Sequence, residues 1–478
     1  MTNHYALIGT LIAWHLTSFG LRADTQATTQ MPSLWKQDYL TGDWGGTRTK
    51  MTDNGVVFGL QLYHDVMGNP TGGIERGLVT SGGVVMSLNL DFEKMTGLKG
   101  SSFYADSYYI YGPNLTFAKI GNIMPVNDVA VYNSLRLHDL WYQQEFLDGK
   151  ISLRVGQIAA DDEFLITNCG LTFINGTFTW APLTANNLPS AGPGYPLATP
   201  GARLKLAPIE QFSLMAAVFD GDPADSQGTN NPYKNDASGT RIDLNQGALS
   251  MFEAAYLLNQ EKGSKGLPGT YTLGGFYATK NYLDVSTDDT GLSLADPAST
   301  GAAKNHSGNW GIYFMADQVV WRKSTPEPTR DPKDMKQLAA STPSTSPNLD
   351  LFWRVGGAPS DRNFTDFYTD GGLNYTGLFP DRDQDVLGLG VAYTHISSDL
   401  QQLDRESNAF TNTDEPIRDY EIALELTYMV KIAPWWIIQP DVQYIIHPGG
   451  NIPNPNDPSG TSPIPDALVL GLRTVVTF

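Results

Sequence analysis

The sequence predicts an all-β protein: a transmembrane antiparallel β-barrel of about 16 strands, with short periplasmic turns, long extracellular loops and a short N-terminal periplasmic helix. Three observations carry this expectation. From residue 56 onward, segments of roughly ten residues recur in which every second position is apolar. The connections between those segments alternate between short and long. No stretch after residue 30 offers the ~18 uninterrupted apolar residues of a membrane helix. A chain that spans lipid without helices must close its sheet, because an open edge leaves backbone groups unsatisfied in hydrocarbon.

The first 27 residues read as an export signal. Residues 5–21 are apolar but short and interrupted, and small residues place cleavage near Ala23 or Ala27. Residues 28–55 form a polar periplasmic segment. Within it Asp43 or Thr47 can cap a short helix that Gly55 ends. The barrel occupies residues 56–478.

The first strand sets Val56, Phe58, Leu60 and Leu62 against Val57, Gly59, Gln61 and Tyr63. GVVMSLNLDF and SSFYADSYYIYG follow. HDLWYQQEF and KISLRVGQ are joined across Leu147, Asp148, Gly149 and Lys150, where Asp-Gly is a strong hairpin signal. ARLKLAP and QFSLMAAVF form another tight pair, with Arg203 and Lys205 inward. The series runs on through ALSMFEAAYLL, TYTLGGFYATK, NWGIYFMADQVVW, DLFWRVGG, GGLNYTGLF, VLGLGVAYTHI, DYEIALELTYMV and WIIQPDVQYIIH. Long connections are expected at residues 112–136, 159–201, 220–246, 281–308, 397–416 and 448–465, all outside. One inner connection breaks the pattern: residues 322–348 are rich in Pro, Ser, Thr and charge and read as a flexible periplasmic insertion.

The closing strand LVLGLRTVVTF shows the phase most plainly. Leu468, Leu470, Leu472, Thr474, Val476 and Phe478 make an apolar face, and the other face holds Arg473. In DYEIALELTY the same logic is quantitative. A one-residue slip would put Glu421 and Glu425 into lipid, where charges near the midplane cost up to roughly 2–4 kcal/mol. Both carboxylates, and Arg473, therefore point into what reads as a wet lumen. A barrel of about 16 strands is wide enough for an aqueous channel.

Charged residues are only 17% of the chain and the net charge is −19, which argues against nucleic acid and for solvated acidic loops. No catalytic set emerges. Glu421 and Glu425 would lie about 13 Å apart along a strand, against roughly 5–9.5 Å for glycosidase carboxylates. The acidic runs at 159–163 and 220–225 superficially suggest calcium loops; the second lacks the spacing and terminal Glu of an EF-hand loop, and both read as solvated. One cysteine and seven scattered histidines give no metal or cofactor site.

Candidate pore-lining residues are Arg154, Arg203, Arg136, Glu145, Glu421, Glu425 and Arg473. The loop at 159–201 is aromatic and poor in charge after Glu163. Tucked inward, its Phe173, Phe178, Trp180 and Tyr195 could form a stacking wall for sugars, or could simply pack the loop against the barrel.

Long ordered stretches over residues 39–478 resemble the carbohydrate-selective porins, the OprB-like family. They include LTGDWGGTRTKMTDNGVVFGL, FLDGKISLRVGQIAADDEF, NLPSAGPGYPLATPGARLKL, AAVFDGDPA, GNWGIYFMADQVVWR, VGGAPSDRN, IIQPDVQYIIHPGGNIPNPNDP and IPDALVLGLRTVVTF. The resemblance implies a 16-stranded barrel in the outer membrane of a Gram-negative bacterium, among phospholipid and lipopolysaccharide. It further implies passive diffusion of glucose-like sugars or polyols, a monomer rather than a trimer, and recognition of Phe478 by the barrel-assembly machinery. A general or cation-preferring diffusion pore stands as the alternative, favoured by the acidic excess. A secreted β-rich hydrolase or lectin is the remote one.

Overall fold

The computed structural model describes residues 33–129, 132–225, 231–261, 264–323 and 347–478. The expected signal and its cleavage site, and most of the 322–348 insertion, lie outside those residues.

The strands are β1 (Val56–Thr71), β2 (Gly77–Asp91), β3 (Ser101–Tyr111), β4 (Ser134–Phe146), β5 (Ile151–Ile158), β6 (Thr199–Ile209), β7 (Phe212–Asp220) and β8 (Ala248–Leu258). They continue as β9 (Gly269–Asp288), β10 (Ala303–Arg322), β11 (Asn348–Gly357), β12 (Thr365–Thr376), β13 (Val386–Ile396), β14 (Tyr420–Ala433), β15 (Trp436–Ile446) and β16 (Ala467–Thr477). Each pairs antiparallel with its sequence neighbours, and β16 pairs with β1 to close the barrel. At that seam Gln61 faces Thr477 and Asp65 faces Arg473. No open edge remains in the sheet, which is the condition for a sheet to cross lipid.

The alternation sets the two faces as expected. Leu470 and Leu472 are each 48% exposed on the outer wall, while Val469 between the strands' inner neighbours is fully buried. The Asp-Gly turn forms between β4 and β5, with Leu147, Asp148 and Gly149 all at positive φ. Gly149 suits that left-handed region because it carries no Cβ.

The inner connections at 147–150, 210–211 and 434–435 are tight. Two outer connections, 72–76 and 358–364, are also short. The outer loop expected at 281–308 is largely strand. β9 runs to Asp288 and β10 starts at Ala303, with Tyr282 paired to His306 and Leu283 to Asn305. Polar composition there marks strands extending past the membrane rather than a loop. The connection left between them is gathered by Asp288, whose carboxylate accepts from Thr290, Leu292, Ser299 and Thr300.

The short periplasmic helix is α1 (Thr47–Asp53). Asp43 does serve its start, accepting from the Thr49 amide at 2.8 Å and its hydroxyl at 2.9 Å, and Gly55 follows its end at φ +86°. The buried core lies inside the barrel. Two outer loop segments, residues 112–129 and 159–198, fold into the lumen and supply much of it.

Candidate functional site: the lumen and its constriction

The inserted loops need acceptors for their backbone N–H groups, because inside a closed lumen each unpaired one costs about 1–3 kcal/mol. The inward face of β11–β15 provides them. Glu425 accepts from Ile174 N at 2.6 Å and Asn175 N at 3.0 Å. Glu421 accepts from Ile123 N and Met124 N, each at 2.7 Å, and from Gly449 N at 2.8 Å. Gln443 donates to Val126 O at 2.9 Å and accepts from the Asn175 side chain at 3.0 Å. Arg354, fully buried and paired with Asp370, donates to Leu165 O and Thr177 O at 2.7 and 2.9 Å. Asn374 donates to Cys169 O and to Thr172 Oγ1.

Two sequence expectations change here. Glu421 and Glu425 do point inward, but they meet loop backbone instead of lumen water. Of the two readings for the loop aromatics, the contacts they make are those of packing residues. Phe173 and Phe178 lie 4.5 Å apart and both rest on Phe352. They fill space over Gly388 and Gly390; a Cβ at Gly390 would come within 2.8 Å of Phe178. Trp180 is buried, donating to Ala191 O at 2.8 Å. Tyr195 donates to Val129 O at 2.7 Å and meets the Tyr108 ring edge-on.

Glu253 of β8 and Asp317 of β10 also accept from the inserted loop, but several inward positions of β1–β8 are left partly open. They include Gln61, Tyr63, Tyr104, Glu145, Lys205 and Met215. Here the inserted loop delivers Glu163 between two arginines of adjacent strands, which face each other in register. Arg154 Nη1 is 2.5 Å from Glu163 Oε1, and Arg203 Nε is 3.0 Å from Oε2. Gln143 accepts from both guanidinium groups at 3.0–3.3 Å, and Ser152 accepts from Arg203. The Arg154 guanidinium lies 3.6 Å from the Trp141 ring centre, and Trp141 stacks on Tyr104 at 5.1 Å. Trp141 is oriented by donating to Asp139 at 3.0 Å, and Tyr104 by donating to Asp106 at 3.2 Å. The result is a stacked aromatic pair beside two cations that share the Glu163 carboxylate, with Glu145 close by on the same face.

Next to it the turn Ala160–Asp162 leaves Asp162 exposed. Asp161 accepts from Tyr195 N at 2.7 Å. Burial first, and then the neighbouring Asp162 charge, push the Asp161 carboxyl up to about 7. Glu163 is thus ion-paired with two strand arginines, and the reading of 161–163 as merely solvated acids is corrected for it.

The remaining candidates disperse. Arg136 is fully buried higher on β4 and donates to the Asp236 carbonyl. Glu145 accepts from Gln143 at 2.9 Å, two residues along the same face. Arg473 is inward as expected but not wet. It pairs with Asp65 at 2.8 Å and with Asp128 at 2.5 Å, tying the 112–129 segment to the seam. Sequence reasoning missed Tyr63, Tyr104, Trp141, Gln143, Asp162 and Glu163. Trp141 was within reach, since it shares the inward alternation of Gln143 and Glu145. Among the described residues no group of His, Cys, Asp and Glu is arranged to hold a metal ion.

Comparison with known proteins adds an independent line. The family model described as carbohydrate-selective porin, OprB family, matches residues 75–478. Porin B of Pseudomonas aeruginosa is 27% identical over 98% of this chain and 97% of its own length. A putative porin, QuiX, of Acinetobacter baylyi is 23% identical over 97% of the chain and all of its own. The high-pH structure of Pseudomonas putida OprB superposes with a TM-score of 0.75 at 26% identity, covering 93% of this chain and 99% of that one.

Proposed function

The chain belongs to the carbohydrate-selective porins of the OprB family, outer-membrane channels of Gram-negative bacteria, and on that premise we propose that it passes small sugars such as glucose along the β1–β8 side of its lumen. The observation that carries this reading is the constriction itself. Tyr104, half-buried and stacked on the buried Trp141, is the ring offered to the apolar C–H side of a pyranose, while Glu163 and the Arg154–Arg203 pair that holds it supply charged partners for its hydroxyls. Glu163, held by both arginines, is the matching acceptor. Diffusion needs no cofactor or energy source. Family and fold are those of channels, and in this reading the chain catalyses nothing.

Liposome swelling tests the proposal. Glucose should enter much faster than an uncharged amino acid of similar size. Equal rates would reject selectivity while leaving a pore. That outcome would favour a general, cation-preferring channel, which Asp161 and Asp162 beside the passage support. The pore works as a monomer in this reading, among phospholipid and lipopolysaccharide. Phe478 remains the proposed handle for the barrel-assembly machinery.

A further inference from the structure

The N-terminal segment, residues 33–54, crosses the periplasmic rim at the seam of the barrel. Its attachment is specific. Leu40 N donates to Thr477 O at 2.9 Å, Trp435 Nε1 donates to Leu34 O at 2.9 Å, and Arg48 Nη2 donates to Phe478 O at 2.8 Å. The Arg48 guanidinium also lies against the rings of Tyr39 and Trp44, at 3.7 and 4.2 Å. Those bonds fix which side of the segment faces away from the barrel. On that side Leu34, Trp35 and Trp44 are 47%, 57% and 42% exposed.

These three side chains do not stand alone. Trp35 stacks on Trp435 and Trp436 at 6.2 and 6.4 Å, and the Trp44 ring lies 6.5 Å from Phe58. Phe58 and Trp436 belong to the outward sets of β1 and β15, which face lipid. The exposed apolar face of the segment is therefore continuous with the lipid-facing belt of the barrel. Tryptophan, with an apolar body and one polar N–H, is the side chain that settles at membrane–water interfaces.

We infer that residues 33–54 form an interfacial foot, with Leu34, Trp35 and Trp44 seated in the headgroup layer of the periplasmic leaflet. The occupant of this surface is the phospholipid bilayer. The segment's charge selects no particular headgroup: Lys36, Arg48 and Lys50 are balanced by Asp38, Asp43 and Asp53. Apolar burial is what holds the foot, so its depth is the same on zwitterionic and anionic lipid. The attached foot fixes how deep the seam of the barrel sits.

The test uses the full-length barrel in nanodiscs, in a Cys169→Ser background, with an environment-sensitive fluorophore on Leu34→Cys. The same label on Lys50→Cys, at an exposed position of α1, is the control. Neither position lies in the constriction, so glucose uptake and the heat-modifiable gel band report that each variant has folded. The label at position 34 should emit to the blue of the control, be quenched several-fold more by brominated phospholipid, and be several-fold less accessible to iodide. The result should be equal in phosphatidylcholine and phosphatidylglycerol. A label at 34 as open to iodide as the one at 50 would overturn the inference and leave the face to a periplasmic partner. Quenching that appears only on anionic lipid would overturn the apolar account.

Discussion

Replacing Glu425 with alanine removes the acceptor that holds the constriction loop to the far wall of the lumen. The carboxylate takes the amides of Ile174 and Asn175 at 2.6 and 3.0 Å, deep in the barrel. Leaving a buried amide without its acceptor costs about 1–3 kcal/mol, so the two contacts together hold the loop by about 2–6 kcal/mol. Other anchors remain, chiefly Arg354 on Leu165 O and Thr177 O. The loop should therefore loosen rather than leave. Even the lower figure raises the detached population about thirtyfold. Single-channel recording should show a larger, noisier conductance, and liposomes should admit a trisaccharide that the wild type excludes. The Phe173–Phe178 pair, which sits on this anchor, should lose protection from chemical probes at the same time. Unchanged conductance and an unchanged size limit would refute the idea that Glu425 holds the constriction closed.

Three further outcomes are expected. Asp161 has its carboxyl raised to about 7 by burial and by Asp162, so it is neutral below that pH and charged above it. The passage gains one negative charge as pH rises from 6 to 8, and reversal potentials in a salt gradient should move toward cations; Asp161→Asn should flatten that step. Arg473→Ala leaves Asp65 and Asp128 buried without their cation, a loss of about 3–5 kcal/mol for a broken buried pair. It should lower the temperature at which the folded gel band unfolds. Gly390→Val places side-chain atoms where Phe178 and Phe173 already lie, at 2.8–2.9 Å from a Cβ. Overpacking of this kind costs about 1–3 kcal/mol, and the loop should be displaced, read as altered conductance with the barrel still folded.

Much of the wall was legible in the sequence because lipid imposes a hard rule on alternation. A slip at Glu421 or Glu425 would bury a charge in hydrocarbon, so the inward set of β14 followed directly. What those carboxylates meet did not follow. Ile123 and Ile174 reach them from loops about 250 to 300 residues away, and no local pattern records such pairing. The aromatics of the long loop misled for a related reason. A ring in a polar loop looks functional until the glycines that receive it, Gly388 and Gly390, are seen opposite. Trp141 is the direct register partner of Tyr104, but the two are far apart in the chain and only the pairing of β3 with β4 brings their rings together. The polar ends of β9 and β10 read as loop because outside the membrane alternation no longer has to be apolar. Arg154, Arg203 and Glu163, by contrast, sit where the strand phase and the loop together bring them.

The central claim is that sugar is selected at the Trp141–Arg154–Glu163 constriction. Sugar-dependent block of ion current through a single purified channel tests it most directly, comparing wild type with Trp141→Ala and Arg154→Ala. Glucose should interrupt the wild-type current, and both variants should lose most of that block while still conducting ions. Equal glucose block in all three channels would contradict the account and place the selective site elsewhere in the lumen.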